Sequence, residues 1–155
     1  MMALNQKTCT TLLFLALCCS SANAQELIDG AYIGGIVSAA REFGSATLTS
    51  QTDGNPMIAG QIDDIPYSLR FRNCFDNANC EDMNFRVGFL VKPTLEQMNA
   101  WNRDKRFSKA YIDAEGDAII EMDTVLKGGV SKENMREVFS YWRLTLSQFT
   151  KHIGF

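Results

Sequence analysis

The sequence predicts a single α+β domain whose largely antiparallel sheet carries helices on one face. Three observations predict it. Apolar residues recur at helical spacing in three separate segments, and strand-period alternation fills the stretches between them. The connections between strands are short and rich in Gly, Asp, Asn and Pro, which favours antiparallel neighbours over parallel crossovers. The length of 155 residues suits one domain.

The elements follow in the order α-β-β-β-β-α-β-β-α. A first helix starts near Asp29 as N-cap, with Ile28 and Ile33 as a hydrophobic staple. Ile33, Ile36, Val37, Ala40 and Phe43 form its apolar stripe, and Gly44 ends it. Gly30, Gly34 and Gly35 weaken its first turns. Strands over 46–52 and 57–62 flank the turn Asp53-Gly54-Asn55-Pro56. Tyr67, Leu69 and Phe71 alternate with Ser68, Arg70 and Arg72, and Met83, Phe85, Val87, Phe89 and Val91 alternate likewise. A short helix begins after Pro93, with Thr94 and Gln97 as a capping box and Leu95, Met98 and Trp101 facing inward. Strands over 107–113 and 118–126 flank Ala114-Glu115-Gly116. The last helix, near 131–153, has Ser131 as N-cap and the stripe Met135, Val138, Phe139, Trp142, Leu146, Phe149 and Ile153.

The N-terminal segment has the organisation of a secretory signal. Lys7 gives a positive start, residues 11–19 an apolar run, and Ala22-Asn23-Ala24 a small-x-small cleavage pattern. Cleavage is expected between Ala24 and Gln25, leaving residues 25–155 as the mature domain in the periplasm or outside the cell. The apolar run falls short of the ~20 residues of a spanning helix, and no longer one follows, so no membrane span is expected.

Cleavage removes three of the five cysteines, Cys9, Cys18 and Cys19. The remaining pair, Cys74 and Cys80, is expected to form a disulfide. Strand register supports the pairing. With Cys74 opposite Cys80, Arg72 meets Asp82, Phe71 meets Met83, Leu69 meets Phe85, and Tyr67 meets Val87. Each inward apolar residue then has an apolar partner, and a slip of one residue would scramble both rows. Closing so short a loop is worth about 2 kcal/mol in the chain-entropy treatment.

Catalytic, metal and cofactor residues are not assigned. Two sulfurs and the chain's single histidine cannot fill a four-coordinate zinc site. The oxygen-rich groups around Asp76–Asp82 and Asp113–Asp117 read as turns rather than calcium loops, lacking the EF-hand spacing. His152 reads as an exposed histidine at a helix end, with no nucleophile or orienting partner nearby. Carboxylate pairs assembled in space leave a small hydrolase as a minor alternative, and a purely structural envelope component is another. The net charge of −3 disfavours nucleic acid as a partner. Arg70, Arg72 and Arg86 fall on the outward sheet face, and Lys109 beside them should pair with Glu121 or Asp123. The reading carried forward is a protein- or peptide-binding module, with Arg70, Arg72, Arg86 and Trp101 as its candidate partner surface and a homodimer as one expected state.

The run Trp101-Asn102, Arg106-Phe107, Ala110-Tyr111-Ile112-Asp113, Glu115-Gly116-Asp117 and Glu121-Met122-Asp123 resembles the signature of the YbjN domain family. The likeness continues through Gly128-Gly129-Val130 and the Trp142-bearing helix. Upstream, Asp53-Gly54-Asn55-Pro56, Tyr67, Phe71, Cys74 and Cys80 resemble its exported, cysteine-containing branch. The resemblance implies a role in sensory transduction regulation and a fold similar to type III secretion chaperones, small α/β proteins that often dimerise. It brings no catalytic residues with it.

Overall fold

The computed structural model describes residues 27–155; the segment expected to be a secretory signal and its expected cleavage point between Ala24 and Gln25 lie outside the described residues. The element order is β1 (Leu27–Ile28), α1 (Ile33–Arg41), β2 (Ser45–Ser50), β3 (Pro56–Ile62), β4 (Ile65–Arg72), β5 (Asp82–Phe89), α2 (Leu95–Asp104), β6 (Lys109–Ile112), β7 (Ala118–Val125), β8 (Val130–Ser131) and α3 (Lys132–Ile153). Strands β2 to β7 form one antiparallel sheet in the order β2-β3-β4-β5-β7-β6. The expected order holds, with one addition. β1 and β8 pair as a small second sheet. Two-residue strands carry too little pattern to be read from sequence.

The helices share one face of the large sheet. Trp142 of α3 packs on Phe85 and Tyr67, with centroids 5.2 and 6.4 Å away. Phe139 meets Phe85 edge-on at 5.2 Å and stacks with Phe43 of the α1 exit at 5.8 Å. α2 reaches the same layer through Trp101, which meets Phe149 at 4.9 Å. These rings and the inward residues of β3, β4, β5 and β7 make one continuous core.

The β4–β5 register is the one the disulfide reading requires: Arg72 faces Asp82, Phe71 faces Met83 and Leu69 faces Phe85. Cys74 and Cys80 are joined just beyond it. The Arg72–Asp82 ion pair does not form. Asn73, in the left-handed region at φ 50°, swings its amide onto Asp82 at 2.6 Å instead.

Two of the three N-caps read from sequence are present. Thr94 and Gln97 bond reciprocally, and the Ser131 hydroxyl accepts from the Asn134 amide at 3.1 Å. Three local expectations change. Asp29 accepts from the Ala31 and Tyr32 amides in a turn, so α1 starts only at Ile33. Leu95 is exposed, because it starts α2 at the solvent-facing turn. The expected strand over 107–113 shortens to β6, because Phe107 sits at φ 68° and turns the chain out of the sheet.

The Tyr67 ring is buried opposite Gly60, and its hydroxyl has no hydrogen-bond partner among the described residues. Burial pushes its pKa up to about 12. Tyr67→Phe removes an unsatisfied polar atom without changing the ring, so it is expected to stabilise the fold by about 1 kcal/mol. Urea denaturation of the two proteins checks this; a destabilised variant would mean that the hydroxyl is satisfied in solution.

Candidate functional site

With the helices on one face, the other face of the sheet is open. Alternation sends Ser68, Arg70 and Arg72 of β4, Asn84 and Arg86 of β5, Glu121 and Asp123 of β7, and Lys109 and Tyr111 of β6 to this side. The expected gathering of Arg70, Arg72 and Arg86 is therefore met, and Lys109 pairs with Glu121 across β6 and β7.

Glu121 is the hub of the face. Its carboxylate accepts from Lys109 Nζ at 3.0 Å and the Tyr111 hydroxyl at 2.9 Å, and lies 3.3 Å from Arg86 Nε. Burial pushes its carboxyl pKa up. Hydrogen bonds from Lys109 and Tyr111, with the charges of Lys109 and Arg86, outweigh that and hold it below the ordinary glutamate value. A depressed carboxyl stabilises the fold at neutral pH, and that contribution is lost as pH falls through the folded-state value. Glu121→Gln is therefore expected to cost about 2 kcal/mol at pH 7 and progressively less below pH ~4. Denaturation at several pH values checks it; an equal loss at every pH would rule out the ionic origin.

Arg70 and Arg72 differ from Arg86 in having no carboxylate within ion-pair distance among the described residues. Arg70 is half-buried, and its pKa is lowered by burial first and then by the neighbouring Arg86 and Arg72. Beside it, Asn84 donates to Asp123 at 2.7 Å, while its own Oδ1 is buried without a partner among the described residues. The face thus offers donors with unspent capacity, suited to carboxylates or backbone carbonyls of a partner.

Trp101 does not join this surface. It is 1% exposed, on the helix-covered side, with its indole N–H donated to Ser108 Oγ at 3.2 Å. The inward stripe of α2 that includes Met98 takes it into the core, so the partner-surface assignment of Trp101 is corrected. His152 is corrected too: it is half-buried against Trp101 with centroids 5.5 Å apart, and its Nε2 lies 2.8 Å from the Gln97 carbonyl. The acidic turns behave as turns. Asp113 accepts from the Glu115 and Asp117 amides, and Asp63 holds Arg143 through two bonds of 2.7 and 2.9 Å.

A second surface feature was not legible in the sequence. Phe107, Met122, Val138 and Tyr141 line a groove of about 270 Å³ between β7 and α3, with Glu137 at its rim. The Phe107 and Tyr141 rings pack against each other, tilted by 41° with centroids 5.0 Å apart, although both are exposed. The pairing depends on the left-handed backbone of Phe107, which no periodicity encodes.

No curated protein matches the chain. The model of the YbjN family, described as "Putative bacterial sensory transduction regulator", matches residues 36–155. That span runs from the middle of α1 to the C-terminal residue and takes in the whole of the large sheet, the open face and α3. The expected resemblance is met, and the chain belongs to the YbjN family.

Proposed function

We propose that this chain is an exported regulatory module that works by binding a polypeptide partner on the open face of its sheet. The observation that carries the reading is the uncovered face itself, where Arg70 and Arg72 have no acidic partner among the described residues while the neighbouring cations Arg86 and Lys109 are engaged by Glu121. Membership of a family described as a sensory transduction regulator supports a regulatory rather than a catalytic role. Export is proposed from Lys7, the apolar run over 11–19 and the Ala22-Asn23-Ala24 pattern. A disulfide between Cys74 and Cys80 fits an oxidising compartment.

The binding test places a photo-crosslinking residue at Ala59 on the open face, or at Ser147 on the outer side of α3, in the producing cell. A discrete protein adduct from position 59 that disappears with Arg70→Glu and Arg72→Glu supports the reading. Adducts only from position 147, or the same adduct after charge reversal, would sink it. Export is tested separately, by N-terminal sequencing of the purified protein: a chain starting at Gln25 is expected, and one starting at Met1 would overturn it.

A further inference from the structure

We propose that the free edge of β7, where it meets α3, is a strand-addition site for an extended peptide with alternating apolar and basic residues. It rests on the polypeptide-binding reading but uses different atoms from the arginine face.

The backbone points to the site first. β7 runs over Ala118–Val125, whereas its outer partner β6 runs only from Lys109 to Ile112. Pairing stops at Lys109 opposite Glu121. Asp113 and Asp117 pair on this edge, so the odd-numbered residues of β7 direct their N–H and C=O groups toward β6, and the even-numbered ones bond β5. Phe107 would be next in line, opposite Asp123, but at φ 68° it leaves the strand. Among the described residues, no group bonds the N–H or C=O of Asp123 or Val125.

The outer edge of β6 is managed differently. The Asn102 carboxamide donates to the Ala110 carbonyl at 2.9 Å and accepts the Ala110 N–H at 2.8 Å, closing that edge as a strand would. The sheet's other boundary, β2, is an exposed edge with mostly Ser and Thr side chains. Among the described residues, it is at β7 that unpaired backbone groups adjoin the apolar groove of Phe107, Met122, Val138 and Tyr141.

The side chains define the occupant. A strand continuing the line of β6 would send alternate residues toward Met122 and Thr124, into the groove, and the others toward the Asp123 side. Apolar residues suit the first set. Basic residues suit the second, opposite Asp123, and Glu137 in the groove lining, which has no cationic partner among the described residues, gives the site as a whole a negative field that favours a cationic peptide.

The test uses the isotope-labelled chain and an acetylated, amidated peptide in which lysine and leucine alternate. NMR titration is expected to shift the Asp123 and Val125 amide signals and slow their hydrogen exchange. The same peptide N-methylated at alternate residues, or with glutamate for lysine, is expected to bind at least about tenfold more weakly. Val125→Pro removes an edge N–H that β5 does not use, and is expected to weaken binding to a similar degree without altering the circular dichroism spectrum. Tyr141→Ala, which removes a groove wall on an exposed side chain, should weaken it too.

Equal binding by the methylated peptide, or no binding by the parent peptide, overturns the proposal. Shifts confined to the Arg70 and Arg86 face overturn it while leaving the polypeptide-binding reading intact. Protection of Asp123 and Val125 in the free chain, together with a dimeric mass, would assign the edge to a second copy and overturn the peptide site. These shifts together with no adduct from position 59, or with an adduct there that survives charge reversal, would instead refute the arginine face alone.

Discussion

Trp142→Ala is expected to remove about 4 kcal/mol of folding stability, a large part of the total for a domain of this size. Trp142 is fully buried where α3 crosses the centre of the sheet, in contact with Phe85 and Tyr67. Truncation leaves a void that those rings cannot fill, because Phe85 is itself held edge-on by Phe139. The loss therefore combines the transfer term with the cavity term. Trp142→Phe keeps most of the packing and discards an indole N–H that has no partner among the described residues, so it should cost far less. Chemical denaturation of the three proteins checks the order. Near-equal stability of the alanine and wild-type chains would show that α3 does not anchor the core.

Gly30→Ala is expected to cost about 3 kcal/mol, although it adds a single methyl group. A Cβ at this position would fall inside the backbone carbonyl of Cys80, which cannot move aside as a side chain could. The two backbones also bond directly, from the Cys80 N–H to the Gly30 carbonyl at 3.2 Å. Gly30 therefore sets how closely the N-terminal segment approaches the disulfide-bearing hairpin. The substitution should separate them, and the released β1 and the hairpin tip should then show faster hydrogen exchange than β4 or β5. Exchange unchanged at Ile28 and Cys80 would mean that the approach is looser than the structure has it.

The same glycine shows why parts of the fold were legible and others were not. Read locally, Gly30 is a weak first turn of a helix; its actual constraint is a backbone fifty positions away in the chain. Gly44 is parallel: it looks like a helix terminator, but what excludes a side chain there is the Gln61 carbonyl. Local signals carried well where one residue's partners lie within a turn or a hairpin. The Thr94–Gln97 box, the Ser131 cap and the β4–β5 register are of that kind. The open arginine face was legible because alternation alone assigns Arg70, Arg72 and Arg86 to one side. Whether a helix covers that side is a tertiary fact. Trp101 failed for the opposite reason: its apolar stripe was read correctly, yet an aromatic suited to a partner surface is equally suited to a core, and α3 claimed it.

The closure of β6 by Asn102 has a consequence for how the protein behaves in bulk solution. Edge strands are where folded β proteins begin to polymerise, and most are blunted by residues of the strand itself. Here the blunting group belongs to α2, so colloidal stability depends on a helix keeping its place against the sheet. Fraying of α2 would bare Ala110 and add another free edge, outside β6, to the one that β7 already exposes, giving a further template for fibrillar growth. The capping box at Thr94 and the indole of Trp101 thus guard against aggregation as well as unfolding.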